Sequence, residues 1–413
     1  MLNLRDYQIA LAQNGCNIIN ELGIVYFVMS PRTGKTHTAL YTAHLFGAKK
    51  VLFLTKKKAI SSIISDFNLT NYNYSLTVIN NESLHTITDE FDLLISDENH
   101  RIGAFPKPSE TTKDIKKKFS KLPMIFLSGT PATESFSQWY HQFWVSNYSP
   151  FREYVNFYIW SKTFVNVTQK QIGAFKVNDY TDSLDIKIQP VIEPYIIRFT
   201  QEDAGFKSTI TQNIIHYPLS EKIHNLINKL KKDLVIEGKN EVILADTSVK
   251  LMQKIHQIEN GTIKFDSGNA MTLCSKKAEF IKEKFNSKKI AIFYYFVQEF
   301  EILKTIFPNW TNDLEQFKTS DKTYIGQQYT NSLGVNLSSA DALVFYNFGY
   351  SGVNYIQAID RLTTIDRKEN DVYFVFAKGS LSEKIYKTIK DKKNYSDKLF
   401  KKDYGIEISD KNN

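Results

Sequence analysis

The chain has 413 residues, 42% hydrophobic, 14% aromatic and 23% charged. That composition builds real cores over two or three domains, which excludes wholesale disorder and a small scaffold held by disulfides. Lys and Arg number 52 against 44 Asp and Glu, and the net charge of +8 leans towards a polyanionic partner.

The first half reads as strands alternating with helices, the pattern of a parallel sheet with crossover helices. Residues 23–29 (GIVYFVM) are apolar, β-branched and aromatic, and predict a central buried strand; residues 38–46 predict the helix that follows. Residues 51–54, 75–79, 93–96 and 124–127 predict four more strands. From about 139 to 232 the pattern changes to aromatic and amphipathic stretches (143–157, 192–198 and 220–232) that read as mostly helical. A second alternating region follows, with strands expected over 290–296, 323–328, 342–347 and 372–376 and a helix over 276–285. The tail from Lys390 is rich in Lys, Asp and Asn and reads as a solvated end. The expected fold is α/β: two parallel-sheet domains in tandem with a helical middle segment. The expected division is 1–215, with a helical extension from about 139, and 216–413.

Strand, then residues 30–36 (SPRTGKT), then helix places backbone N–H groups and a helix N-terminus against phosphates. Lys35 would neutralise β and γ phosphates, Thr36 would hold Mg²⁺ through its hydroxyl, and Gly34 lets the backbone approach closely. Met29 stands where the full phosphate-loop pattern has its first glycine. The next strand end carries LLISDENH, residues 93–100. A carboxylate at the carboxyl end of a buried parallel strand lies where α/β sheets bind ligands. Asp97 can reach the metal there, and Glu98 can orient or deprotonate an attacking water. The bland alternative is a turn carrying two acids. Two phosphate-chemistry motifs on successive strand ends argue against it.

Asp97, Glu98, Asn99 and His100 resemble the DExH box of superfamily 2 helicases and translocases. Further motifs follow in order: residues 4–8 (LRDYQ) resemble the adenine-sensing Q motif, 51–58 motif Ia, 78–84 (VINNESL) motif Ib and 128–131 (SGTP) motif III. In the second half, 332–340 (SLGVNLSSA) resembles motif V and 357–361 (QAIDR) opens motif VI. Residues 192–200 (IEPYIIRFT), the GVNL string and the QAxDR opening are similar to Swi/Snf-type translocases on double-stranded DNA.

The resemblance implies that the two parallel-sheet domains are RecA-like and that ATP and Mg²⁺ are cofactors, with Arg5, Gln8, Pro31, Arg32, Thr33, Gly34, Lys35, Thr36 and Gly334 at the nucleotide. Thr36 and Asp97 would hold the metal. Lys35, Asp97, Glu98, Arg361 and Arg367 would be catalytic, with an arginine of the second lobe completing the site. His100, Ser128, Thr130 and Gln357 would couple nucleotide state to motion. Thr55, Lys56, Asn81 and Ser128 would meet nucleic-acid backbone, and Arg198 would brace the two halves. Motif VI departs from the family, since its usual second arginine is Thr364; Arg367, about one helical turn on, is the substitute. For Lys57 and Lys58 a solvated face is the better reading.

The function these features imply is an ATP-dependent DNA translocase on duplex or branched DNA, in replication, recombination or repair. The alternatives are a strand-separating DNA or RNA helicase and a nucleotide-gated clamp without turnover. No motif identifies a protein partner. Cys16 and Cys274 have no Cys or His at ligand spacing, so neither a disulfide nor a zinc site is supported. No window reaches the ~18 uninterrupted apolar residues of a membrane span. The expectation is a cytoplasmic protein, in the host cytoplasm if viral, with no membrane partner. His37, His44, His85 and His141 lack ligand spacing, and Trp139, Tyr140, Phe143 and Trp144 cluster at helical spacing as core residues do.

Overall fold

A computed structural model describes residues 4–172, 175–206, 209–238, 241–328, 337–359, 369–390 and 403. The chain divides into two compact units, Met1–Phe206 and Lys207–Asn413.

In the first unit the sheet is built from β1 (Ile24–Met29), β2 (Lys50–Thr55), β3 (Ser75–Asn80), β4 (Leu93–Ser96), β5 (Met124–Ser128) and β8 (Ile196–Phe199), in the spatial order β3-β2-β4-β5-β1-β8. All its pairings are parallel, so every strand end that follows a buried run opens on the same edge. Alternation along β1 supplies both faces. Ile24 and Tyr26 pack with Leu52, Leu94, Phe126 and Trp139 on one side. Val25, Phe27 and Met29 pack with Val51, Ile95 and Leu127 on the other. That second side is covered by α1 (Asp6–Leu22) and α2 (Lys35–Phe46), which contribute Ile19, Ala39, Leu40 and Ala43. Two covered faces are why these strands read as unbroken apolar runs.

The middle segment departs from the helical expectation. Helix α5 (Gln138–Trp144) stops at Trp144, and residues 145–156 form loop and turns before α6 (Phe157–Phe164). An antiparallel hairpin, β6 (Thr168–Ile172) with β7 (Phe175–Asp179), follows, and then α7 (Asp185–Ile192). Residues 196–198, expected to be helical, lie in strand β8, paired in parallel with β1 from Tyr26↔Ile196 to Met29↔Phe199. A short apolar run is ambiguous by periodicity alone, and the open edge of β1 decides it. Trp139, Tyr140 and Phe143 are core residues, 2%, 0% and 0% exposed. Shorter elements complete this unit: α3 (Ile60–Asn68) and α4 (Glu110–Phe119).

The second unit opens with β9 (Thr209–His216), which pairs along its length with β18 (Glu369–Phe376). The expected boundary at 215/216 therefore moves to 206/207, because β9 is an edge strand of the second sheet. That sheet runs β15-β16-β14-β17-β18-β9, with β14 (Ile290–Tyr294), β15 (Trp310–Thr311), β16 (Thr323–Gln327) and β17 (Ala342–Phe345), again all parallel. Around it lie α8 (Glu221–Asp233), α9 (Ser248–Glu259), α10 (Lys276–Lys284), α11 (Val297–Ile306), α12 (Leu314–Thr319), α13 (Gly352–Ile359) and α14 (Leu381–Lys390). Two small antiparallel pairs, β10 (Val235–Glu237) with β11 (Val242–Leu244) and β12 (Thr262–Lys264) with β13 (Ala270–Thr272), complete it. None of the described helices is long and apolar enough to cross a membrane. Among the described residues no His, Cys, Asp and Glu cluster could hold a metal by itself.

Candidate nucleotide-binding site

The chain leaves β1 at Met29, turns through residues 30–34 and enters α2 at Lys35. Gly34, the residue before the helix, has φ 82°, a left-handed conformation that disfavours any side chain. The helix therefore starts with its free N–H groups over the carboxyl edge of the sheet. A Cβ on Gly34 would lie 2.0 Å from Gln8 Nε2, so the glutamine expected to sense adenine is packed directly on the loop. Gln8 is 5% exposed, and its Oε1 accepts from the Arg5 backbone N–H at 2.8 Å. Arg5 itself is exposed, with Nη1 donating to the Tyr7 hydroxyl at 3.1 Å. Tyr7, which sequence reasoning passed over, donates its hydroxyl to the Thr33 carbonyl at 3.2 Å. Within the loop, Thr33 is fully buried and its Oγ1 donates to the Ser30 carbonyl at 2.8 Å, while Arg32 takes φ 64°. Pro31 and Thr36 are half-buried, and Thr36 occupies the first turn of α2.

Strand β4 delivers Asp97 and Glu98. Asp97 Oδ1 accepts from the Glu98 backbone N–H at 2.9 Å and Oδ2 from Thr55 Oγ1 at 3.0 Å. Burial, then the neighbouring Glu98 charge, push the Asp97 carboxyl up to about 6; Lys35 and the two hydrogen bonds oppose this. Lys35 at the head of α2 is thus electrically coupled to the acid of β4. Glu98 has φ 51°, a sparsely populated backbone for a residue with a side chain, and this turns its carboxylate towards His100. Glu98 Oε2 lies 3.2 Å from His100 Nδ1.

The same His100 nitrogen lies 3.0 Å from Ser128 Oγ at the end of β5, and Ser128 Oγ accepts from the Thr130 backbone N–H at 3.1 Å. Burial holds the imidazole well below its ordinary range, at about 4, despite Glu98, so the ring is neutral near pH 7. The ring therefore lies between the carboxylate and the SGTP turn, with Nδ1 within reach of both. Gly129 brings that turn against the phosphate loop: a Cβ there would lie 3.2 Å from the Met29 carbonyl and 3.4 Å from Lys35 Nζ.

A second polar chain lies behind the first. Tyr26 of β1, fully buried, donates its hydroxyl to Gln142 Oε1 at 2.6 Å, and Gln142 Nε2 donates to the Pro131 carbonyl at 2.7 Å. Gln138 Oε1 accepts from the backbone N–H groups of Thr133 and Glu134 at 2.8 and 3.1 Å. Helix α5 thus grips the turn after β5. Nothing in the sequence around Gln138 and Gln142 announces this.

The structure brings Gln8, Gly34, Lys35, Asp97, Glu98, His100, Ser128 and Thr130 together. Thr55 is 1% exposed with its hydroxyl donating to Asp97, and Ser128 is 0% exposed between His100 and Thr130. Lys56 follows Thr55 at the strand end and is half-buried, and Asn81 opens a short 3-10 turn after β3, also half-buried. Arg198 is engaged within its own unit, where Nη2 lies 2.9 Å from Glu193 Oε2. Gln357 falls on α13. Gly334, Arg361, Thr364 and Arg367 lie outside the described residues.

The donor set fits a hard dication. Thr36 offers a hydroxyl, Asp97 a buried carboxylate whose charge is under-compensated, and both are oxygen ligands.

The structure thus holds two six-stranded parallel sheets, with the SPRTGKT loop before α2 and the DENH string after β4 on the first of them. The family model described as type III restriction enzyme, res subunit, matches residues 61–133. The chain is similar to the chromatin-remodeling ATPase INO80 of Mycosarcoma maydis, 35% identical over 66 residues; the match covers 16% of this chain and 4% of that protein. Among solved structures it is similar to the Sulfolobus solfataricus SWI2/SNF2 ATPase core in complex with dsDNA. That pair is 16% identical over 99% of this chain and 94% of the other, with a TM-score of 0.42. The Sulfolobus solfataricus SWI2/SNF2 ATPase core domain is 15% identical over 94% and 88%, also with a TM-score of 0.42.

Proposed function

We propose that the chain hydrolyses ATP and couples hydrolysis to movement along duplex or branched DNA, in replication, recombination or repair. The observation that carries this reading is the single edge on which Lys35, Asp97, Glu98 and His100 meet, with the SGTP turn in hydrogen-bond contact. A binding-only protein has no use for a second carboxylate beside Asp97, nor for a histidine shared between that carboxylate and another motif.

The loop N–H groups and Lys35 bind and orient the phosphates, Gln8 checks the base, and Glu98 positions a water for in-line attack and takes its proton. Thr36 and Asp97 would hold Mg²⁺, which would supply charge neutralisation at the phosphates. His100 senses the position of Glu98 and passes it to Ser128 and Thr130. We assign the remaining charge stabilisation to Arg361, with Arg367 in place of the arginine absent at Thr364. Backbone contacts by Lys56 and Asn81 and the net charge of +8 suit a sequence-independent grip on phosphates.

Phosphate release measured with no nucleic acid, single-stranded DNA, duplex DNA and RNA tests the reading. Stimulation strongest with duplex DNA is expected. Nucleotide binding without stimulation by any of them would make the chain a clamp, and strongest stimulation by single strands would make it a strand-separating helicase. Arg361→Ala and Arg367→Ala should each lower turnover sharply, and normal hydrolysis by Arg367→Ala would remove that residue from the site.

A further inference from the structure

We propose that Gln201 is a positioning residue that ties the phosphate loop to the chain leaving the first unit, so that loop and exit chain move together; this rests on the reading above. Strand β8 ends at Phe199, beside Met29 of β1. The Ser30 backbone N–H, first in the loop, donates to the Phe199 carbonyl at 2.9 Å. Two residues on, Gln201 Nε2 donates to the Pro31 carbonyl at 3.0 Å. The Phe199 ring stacks on Tyr7 at 4.8 Å, and Tyr7 holds the Thr33 carbonyl. Three backbone positions of the loop, at Ser30, Pro31 and Thr33, are therefore held directly or through one ring by residues 199–201.

The exit chain is stiff where it leaves. Thr200 donates through both its backbone N–H and its hydroxyl to Asp203 Oδ2, each at 2.8 Å, and Phe206 N–H donates to the Gln201 carbonyl at 3.0 Å. Gln201 thus holds the loop with its side chain and the last residue of the first unit with its backbone. Residue 207, where the second unit begins, follows directly. A loop that turns its amides towards phosphates shifts its carbonyls too. The Pro31 carbonyl then draws on Gln201, and the short turn to Phe206 has little slack to absorb the change. Linkage makes this reciprocal: whatever biases the exit chain alters the loop's affinity for phosphates by the same factor.

The experiment measures phosphate release by the full chain with and without duplex DNA, in native, Gln201→Leu and Gln201→Lys forms. Coupling between sites is typically worth about 5–150-fold. Gln201→Leu, which keeps the bulk and loses the donor, should lower the ratio of stimulated to unstimulated release by about five-fold or more. It should also bring the ATP KM values with and without duplex together. Gln201→Lys keeps an N–H donor and should hold the ratio within about two-fold of native. Loosening of the turn by Thr200→Val should act in the same direction as Gln201→Leu. A general loss of loop structure would lower both rates and leave their ratio alone. An unchanged ratio in Gln201→Leu, or equal loss in the Leu and Lys forms, would overturn the inference alone. A native chain that no nucleic acid stimulates would instead overturn the translocase reading, and this inference with it.

Discussion

Thr55 Oγ1 donates to Asp97 Oδ2 at 3.0 Å, so the end of β2 holds the acid at the end of β4. Thr55→Val keeps the shape and removes the donor, leaving a buried carboxylate oxygen with one partner fewer, a loss of about 1–3 kcal/mol. Turnover at saturating ATP should fall about ten-fold, the equivalent of ~1.4 kcal/mol. Affinity for nucleic acid, read by fluorescence anisotropy, should not change. The opposite pattern, weakened nucleic-acid binding with normal turnover, would place Thr55 at the polynucleotide surface.

Gly34 is constrained twice, by φ 82° and by Gln8 Nε2 at 2.0 Å from any added Cβ. Gly34→Ala should weaken ATP binding at least about ten-fold, since left-handed backbone alone costs a non-glycine residue about 1–2 kcal/mol. Gln8→Ala makes room but leaves the backbone cost, so Gly34→Ala with Gln8→Ala should not recover native affinity. Titration with a fluorescent ATP analogue checks this; full recovery in the double variant would mean that contact alone, not conformation, selects glycine.

The Tyr26–Gln142 hydrogen bond joins the central strand to α5 inside the core. Tyr26→Phe strands the Gln142 carbonyl oxygen in a buried site and should cost about 1–3 kcal/mol. In urea this appears as a lower midpoint with an unchanged slope. Gln142→Leu removes the same bond and the one to the Pro131 carbonyl, so the two substitutions together should cost less than their sum. Strict additivity would show that the pair is not coupled.

His256 is fully buried in the second unit, with Nδ1 2.9 Å from the Tyr350 hydroxyl, and burial depresses its pKa to about 3. A depressed folded pKa means that the unfolded chain takes the proton first. The stability it confers is complete above about 6.5 and is lost as pH falls from there towards about 3. At about 1.4 kcal/mol per unit, a loss of several kcal/mol by pH 4 is expected for this group. His256→Gln should flatten that part of the stability curve. An unaltered slope between pH 6.5 and 4 would place the acid sensitivity elsewhere, His141 being the next candidate, held near 4 by burial.

What was legible in the chain was local. Lys35 and Thr36 sit beside the strand they follow, Asp97 and Glu98 terminate another, and buried parallel strands announce themselves by apolar runs because both of their faces are covered. The helical reading of the middle segment failed where long-range pairing decides. Residues 196–199 carry the same apolar character in either form, and only the free edge of β1 makes them a strand. The first residues of the second unit went unread for the same reason: β9 finds its partner at residues 369–376, at the far end of the chain.

The amino-acid order alone therefore determined the two-sheet architecture, the phosphate loop and the acid pair, since each depends on neighbours within a few positions. Tertiary structure alone decided what those residues touch. Thr55 was set against Asp97, His100 was set between Glu98 and Ser128, and Gln142 and Gln201 were drawn to carbonyls of loops distant in sequence. The reason is physical: a side chain's partner across a sheet or from a returning segment is fixed by the packing that satisfies buried polar groups, and no local pattern encodes that geometry.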